Sequence, residues 1–341
     1  MTRRFPRPNA ILQRLPLGSA DLLRYAALIA VLLAIEPLFP AQYQIRLANL
    51  ILVQGIAAIG VNVILGFAGL VSIALGALMA LGGYTSALLM MRWGWPFPLA
   101  FLGACSLSAG VSAIVGLLGT RIKLNYFLLV TLALSQVITM VIVNEKALTG
   151  GPGGLLGVPP ASILGFVVDS DPRFYVLIVP VFVLALYMAQ RLRQSKAGRA
   201  MFALRLNEPA AQMSGIDVTR YRVFAMTFAG VYLGASGSLF AHLLRFLGPE
   251  SFSLSLSLYL TLIVVVGGIG SNVGAAASVA LVTALTQSLQ SLGSWWVVIY
   301  GLVIMALLVV APTGLAGVAA SLARKAPRFV SGMRARVDRG P

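Results

Sequence analysis

Hydroxyls and the Lys and Arg side chains aside, one histidine (His242), one cysteine (Cys105) and nine carboxylates (Asp21, Glu36, Glu145, Asp169, Asp171, Glu208, Asp217, Glu250 and Asp338) are the acids, bases and nucleophiles of this 341-residue chain. So small a stock rules out a disulfide framework and any zinc site built from His and Cys. No paired-carboxylate cluster, no H-E-x-x-H and no G-x-S-x-G occurs, so the sequence offers no recognisable hydrolytic centre. No lysine follows a glycine, which excludes a G-x-x-x-x-G-K-[ST] phosphate loop. If ATP drives this protein, another chain binds it, and neither cofactor nor metal is expected here.

The acids are also badly placed for ion coupling. A charge at the bilayer centre costs at least ~2.5–3.5 kcal/mol and, where it occurs, usually marks a proton relay or ion site. None of the nine falls in the middle of an apolar run. Glu36 comes nearest, just before Pro37, where a carboxylate reaches headgroups and reads as an interfacial cap. His242, near the end of another run, reads as structural or interfacial. The chain by itself resembles a passive pathway.

The elements that must carry these residues are membrane spans. Hydrophobic residues make up 59% of the chain and charged ones 10%, against roughly 25% charged in soluble domains. That excludes a soluble enzyme and, despite a net charge of +16, a nucleic-acid partner. A span needs ~20 predominantly apolar residues. The sequence predicts an all-α polytopic membrane protein with about ten spans (eight to ten): 25–41, 47–65, 67–91, 97–118, 124–143, 173–190, 223–244, 256–270, 273–291 and 295–311. Residues 256–291 could instead form one span plus a re-entrant piece. The domains expected are a basic arm (1–24), one transmembrane domain (25–311) and a basic tail (312–341). No A-x-A-like site follows the first apolar run, so 25–41 is expected to stay as a span.

Lys and Arg concentrate in cytoplasmic loops. With a cytoplasmic N-terminus, the arm, the 119–123 connection, the 191–222 connection and the tail hold 20 of the 25 basic residues. Arg46, Arg92, Lys146, Arg173 and Arg245 are left outside. Both termini are therefore expected in the cytoplasm, with the lipid bilayer as the protein's solvent.

The 191–222 connection is the most informative loop. Asn207 can cap a helix over 207–213, Pro209 suits its first turn, and Gly215 follows Ser214 as a stop. The pair Ala210 and Ala211 is too small for a helix resting on lipid and suits contact with a protein groove.

The run Glu208 to Ile216 (EPAAQMSGI) is similar to the cytoplasmic coupling loop of ABC-importer permeases. The stretch Gly198 to Arg222 resembles the LivM-like half of the branched-chain amino-acid permease family. Matching pieces follow in order from about residue 45 to 317: GFAGLVS (66–72) with Gly82-Gly83-Tyr84, YFLLVTL (126–132), LTGGPGGLLGVP (148–159), GPESF (248–252), VGGIGSNVG (266–274) and PTGL (312–315). One departure stands out. The family's Ser-x-Gly-His run is replaced by Ser72-Ile73-Ala74-Leu75, near the family's pathway, so the cargo is less defined than the fold.

The resemblance implies a permease subunit of an ATP-driven importer of small polar solutes, with branched-chain amino acids first. It implies a second permease chain (a LivH-like paralogue), two cytoplasmic ATPases and an external solute-binding protein. Glu208, Ala210, Ala211, Gly215 and Ile216 would couple to the ATPase. Urea, short amides or organic acids are alternative cargoes, and an ion-coupled transporter or channel is the alternative class. The glycine-interrupted segments can free backbone groups that line a route, which makes Gly66, Gly69, Ser72, Tyr84, Gly267, Gly268 and Gly270 pathway candidates. Gly230, Gly234 and Ser238, at i, i+4, i+8, read as helix packing. The external segment 144–172, rich in Gly and Pro, is a candidate docking surface for the binding protein or an ordinary connection.

Overall fold

The computed structural model describes residues 19–35, 42–120, 122, 124–163, 166–290, 299, 301–302, 305 and 314–317. Almost all of it is helix. In chain order the first helices are α1 (Ser19–Ile35), α2 (Gln42–Asn62), α3 (Leu75–Trp93), α4 (Phe97–Thr120), α5 (Leu124–Asn144) and the short α6 (Lys146–Thr149). After three short strands come α7 (Asp171–Gln194), α8 (Lys196–Leu206), α9 (Glu208–Met213), α10 (Val218–Leu244), α11 (Leu254–Gly267) and α12 (Asn272–Gln290). Among the described residues eight helices are long and apolar enough to cross a membrane, and the apolar part of α1 is shorter. The expected tenth span, the basic tail and the basic arm up to residue 18 lie outside the described residues, save for 299, 301–302, 305 and 314–317. Glu36 lies outside them too.

Two expectations need correction. The third span does not run from residue 67. Instead α2 continues into a π-helical turn (Val63–Ala68), Gly69 ends it at φ 69°, and α3 starts only at Leu75. Ser72 Oγ accepts from the Ala74 amide at 3.3 Å and Thr131 Oγ1 accepts from the Ile73 amide at 3.1 Å, satisfying backbone that a helix would have paired. The apolar run is unbroken there, so hydropathy cannot register the interruption. Nor is 191–222 a thirty-residue connection. The span α7 continues through Arg191 and Arg193, α8 occupies most of the remainder, and α10 starts at Val218. Residues 256–290 fall in two helices joined at Gly268–Ser271, each belonging to a segment long and apolar enough to cross a membrane.

The long helices alternate in direction. One end of the bundle carries α8 and α9; the other carries the segment between α5 and α7. There β1 (Leu155–Leu156) pairs antiparallel with β4 (Phe246–Leu247), and β2 (Ala161–Ile163) pairs with β3 (Phe166–Val168). The α8 end holds Arg24, Arg191, Arg193, Lys196, Arg199, Arg205, Arg220 and Arg222 against Glu208 and Asp217 among the residues with described side chains. At the opposite end Arg46, Arg92, Lys146, Arg173 and Arg245 stand among Glu145, Asp169, Asp171 and Glu250, so those charges nearly cancel.

At the centre α10 crosses α3 with backbones in contact. A Cβ on Gly82 would lie 2.5 Å from Gly234 Cα, and one on Gly237 would lie 2.9 Å from the Gly83 amide. Gly230 and Gly234 face Ser112, Ser108 and Ala104 of α4, and Ser238 donates to Ser86 of α3 at 2.7 Å. Small residues let dispersion contacts form where lipid offers no hydrophobic drive between helices. His242 is buried in the same seam, between Ser86 Oγ (2.9 Å) and the Pro159 carbonyl (2.8 Å), and pins the opposite-end segment to the bundle. With Nδ1 donating to that carbonyl, Nε2 is left to accept from Ser86, so the neutral ring satisfies both partners.

Candidate functional site

The surface helix begins as its sequence dictates. Asn207, in an extended conformation, accepts the Ala210 amide on Oδ1 at 3.2 Å, and Pro209 sits in the first turn. At the other end the amides of Ser214, Gly215 and Ile216 close onto the carbonyls of Ala210, Gln212 and Ala211, with Gly215 at φ 79°. A left-handed residue at this position is the common glycine stop of a helix.

The two faces of α9 differ. Ala211 is buried, packed inward against its own chain, while Ala210 is exposed. Glu208 is engaged at home, its Oε2 accepting from Arg222 Nη2 at 2.6 Å with the arginine 12% exposed. This ion pair ties the start of α9 to the first turns of α10. Two large apolar side chains that sequence reasoning passed over stand exposed on either side of this helix, Leu206 at the end of α8 (85% exposed) and Met213 at the end of α9 (92%). Bare apolar groups flanking a short helix in a basic segment are the signal that could have found them.

Behind α9, the last turn of α8 meets the interrupted end of α2. Arg205 Nη1 donates to the Gly66 carbonyl inside the π-helical turn. The side chain of Arg205 also covers Gly69, where a Cβ would lie 2.9 Å from Arg205 Cγ. Partial loss of water draws the Arg205 pKa below the usual arginine value, though a guanidinium stays charged at neutral pH. Phe202 of α8 packs on Phe67 with ring centroids 4.9 Å apart. A π-turn leaves carbonyls without their ordinary helical partners, and such turns recur at functional sites.

The same turn touches the α11–α12 join. Asn62 Oδ1 accepts the Gly270 amide at 2.8 Å, and Asn62 Nδ2 donates to Asn272 Oδ1 at 2.7 Å, both buried. A Cβ on Gly66 would meet the Gly270 amide at 2.7 Å. Gly267 lies against Gly274, and Gly314 lies against Gly268. The structure thus draws Gly66, Gly69, Gly267, Gly268 and Gly270 into one close-packed junction at the α8 end, rather than along an open route. Tyr84 lies near the other end, buried, and donates to the Leu247 carbonyl at 3.0 Å as a pin between α3 and β4. Ser72, another of the expected pathway residues, lines a groove shared with Leu65, Val71 and Thr261. At the opposite end a polar cavity of about 270 Å³ is lined by Gln42, Arg46, Asp169, Asp171, His242 and Arg245, among others.

The α8 end thus presents a short, capped helix tied to α10 by an ion pair, beside an α8 tied to α2 through Arg205 and so to the junction with α11 and α12.

The family described as "Branched-chain amino acid transport system / permease component" matches residues 43–312. The high-affinity branched-chain amino acid transport system permease protein LivM of Salmonella typhimurium (strain LT2) is 27% identical over 302 residues, covering 82% of this chain and 71% of the relative. LivM of Escherichia coli (strain K12) is 27% identical over 308 residues, covering 84% and 72%. The ribose import permease protein RbsC of Haemophilus influenzae is 27% identical over 244 residues, covering 71% and 73%. No solved structure matches the chain. With α3 to α12, nearly all of α2 and the surface helix inside the matched region, this chain belongs to the family of branched-chain amino acid transport permeases.

Proposed function

We propose that the chain is the transport subunit of an importer driven by ATP on partner subunits, and that α9 receives the push. The observation that carries this reading is the pinned surface helix: exposed outward through Ala210, Leu206 and Met213, and fixed inward through Ala211, Glu208–Arg222 and Arg205–Gly66. The concentration of basic residues at the α8 end supports a cytoplasmic position for it. Closure of two ATPases would move α9. The ion pair would carry that motion to α10, and the Arg205 contact would carry it to α2 and the α11–α12 join, rocking one group of spans against the other.

A second, similar permease chain would complete the pathway, and an external binding protein would deliver cargo at the opposite end, where the 144–172 segment exposes Leu156 and Phe166. The LivM relatives favour branched-chain amino acids as cargo, and the RbsC relative keeps a sugar as the second reading.

Two substitutions test the coupling helix. Proline fixes φ near −65°, so Gly215→Pro cannot adopt the observed φ of 79° and should unseat the end of α9. Ala211→Trp forces an indole into a buried site. Both variants are expected to reach the membrane in ordinary amounts and to lose ATP-dependent uptake in proteoliposomes containing the full complex. Uptake at the unsubstituted rate in both would remove α9 from the mechanism.

A further inference from the structure

A bilayer-spanning helix exposes an amide or phenol at mid-depth only where another polar group, a partner or water receives it, because hydrocarbon cannot. Three such side chains converge here from three helices. Gln54 sits near the middle of the 27-residue rod Gln42–Ala68, Tyr259 near the middle of Pro249–Gly267, and Thr283 near the middle of Asn272–Leu289. Tyr259 Oη lies 3.4 Å from Gln54 Oε1 and 3.3 Å from Thr283 Oγ1. All three are half-buried.

These contacts are unlike the structural hydrogen bonds of the bundle. O–H···O bonds centre on ~2.7–2.8 Å. Ser108 to the Leu78 carbonyl at 2.9 Å, Ser236 to Val53 at 2.8 Å and Ser278 to Ile263 at 2.8 Å are short, fully buried bonds to backbone. The Gln54–Tyr259–Thr283 bonds are long, join side chain to side chain, and lie between half-buried residues. Loose bonds of this kind exchange readily for a solute's own hydroxyl, amine or carboxylate.

The seam containing them is polar at other depths as well. Tyr43 donates to Gln287 nearer the external-segment end, and Ser72 and Thr261 border the groove nearer the α8 end. By contrast, the large exposed side chains along α4 are apolar, among them Leu102, Leu107 and Ile114. Among the described residues no charged side chain lies at mid-depth in any span, so a full charge on the solute would find no counter-ion there.

We infer that Gln54, Tyr259 and Thr283 form a solute-contact site on the transport route, which selects small neutral or zwitterionic solutes by hydrogen bonds rather than by ion pairing. The inference rests on the permease reading and names the part of the pathway that this reading leaves open.

The experiment has two arms, both on the complete complex. In the first, Gln54→Cys and Leu107→Cys are exposed to a water-soluble methanethiosulfonate ethylammonium reagent. The native Cys105 is buried, and the unsubstituted protein measures its background. Cysteine at 54 is expected to react at least about tenfold faster than cysteine at 107, because only the seam admits the water that supports its thiolate. In the second arm, Gln54→Leu and Tyr259→Phe are expected to lower uptake of radiolabelled leucine or ribose about tenfold, the equivalent of one lost hydrogen bond of ~1.4 kcal/mol. Membrane abundance and ATPase docking should be unchanged.

Equal reactivity at 54 and 107, or full uptake in Gln54→Leu, would overturn the inference and leave the cluster as interhelical glue. Loss of the assembled complex in these variants would overturn it too, since the cluster would then be a subunit contact. Failure of the permease reading shows separately, as no ATP-dependent uptake of either solute by the unsubstituted complex, and the labelling arm does not depend on that result.

Discussion

Arg205→Met is expected to leave the permease in the membrane with its ATPase partners bound, and to lower solute uptake about tenfold while ATP hydrolysis continues. The reasoning starts from the Gly66 carbonyl. In the π-helical turn it takes a hydrogen bond from the Arg205 guanidinium. A hydrogen bond to a charged group contributes ~1.5–3 kcal/mol, and the exposed position of Arg205 places this one at the low end, near the ~1.4 kcal/mol that equals a factor of ten. Methionine keeps the length of the side chain and much of its packing over Gly69 but removes the donor.

Asn62 still holds Gly270, so the junction stays folded; what is lost is the direct tie between α8 and the end of α2. Coupling free energies of 1–3 kcal/mol are typical of allosteric links, so removing one strand of the link should show as futile hydrolysis. Arg205→Lys, a point charge able to reach one carbonyl, should retain an intermediate rate. The measurement is the ratio of solute transported to ATP hydrolysed in proteoliposomes. An unchanged ratio in Arg205→Met would mean that motion passes through Glu208–Arg222 alone.

The second large effect is on folding. Gly237→Val is expected to abolish accumulation of the folded permease. A Cβ at 237 would fall inside the Met79 carbonyl and within 2.8 Å of its carbon, and these are backbone atoms of α3 that no side-chain rotation can move. Overpacking a core with added methyl groups costs ~1–3 kcal/mol when neighbours can shift. Here two helix axes would have to separate, and α4, α2 and the Gly82–Gly234 contact would separate with them. Gly110→Val supplies the control, since a Cβ there meets nothing within 4 Å. Thermal stability in detergent should fall far below the unsubstituted protein for Gly237→Val and hardly move for Gly110→Val. Equal stability of the two variants would contradict the close α3–α10 crossing.

Much of this architecture could be read from residues alone, and the exceptions have physical causes. Apolar length located α4 and α5 to within a residue or two, because a bilayer imposes a fixed ruler on spans. The side-chain chemistry of Asn207, Pro209 and Gly215 located α9, because capping is local. The break after Gly69 was hidden: residues 63–75 stay apolar whether the backbone is π-helical, turned or α-helical. The helix α8 was hidden because Lys196, Arg199 and Arg205 give it the composition of a loop.

The junction itself joins residues far apart in sequence, Arg205 with Gly66 and Asn62 with Gly270, and no spacing rule foretells such contacts. Glycines 66, 69, 267, 268 and 270 were therefore legible as special, but their meeting in a packed hub was not. Gln54 and Tyr259 escaped notice because a single polar residue scarcely changes the hydropathy of a twenty-residue run.

Energy source decides the matter. Reconstitute the chain with its companion permease in sealed vesicles, first without and then with the two ATPase subunits, and follow solute accumulation under an imposed proton or sodium gradient and then with ATP. Uphill accumulation only when the ATPases and ATP are both present is the predicted result. Concentration of solute against its gradient by the permease chains alone would contradict the account.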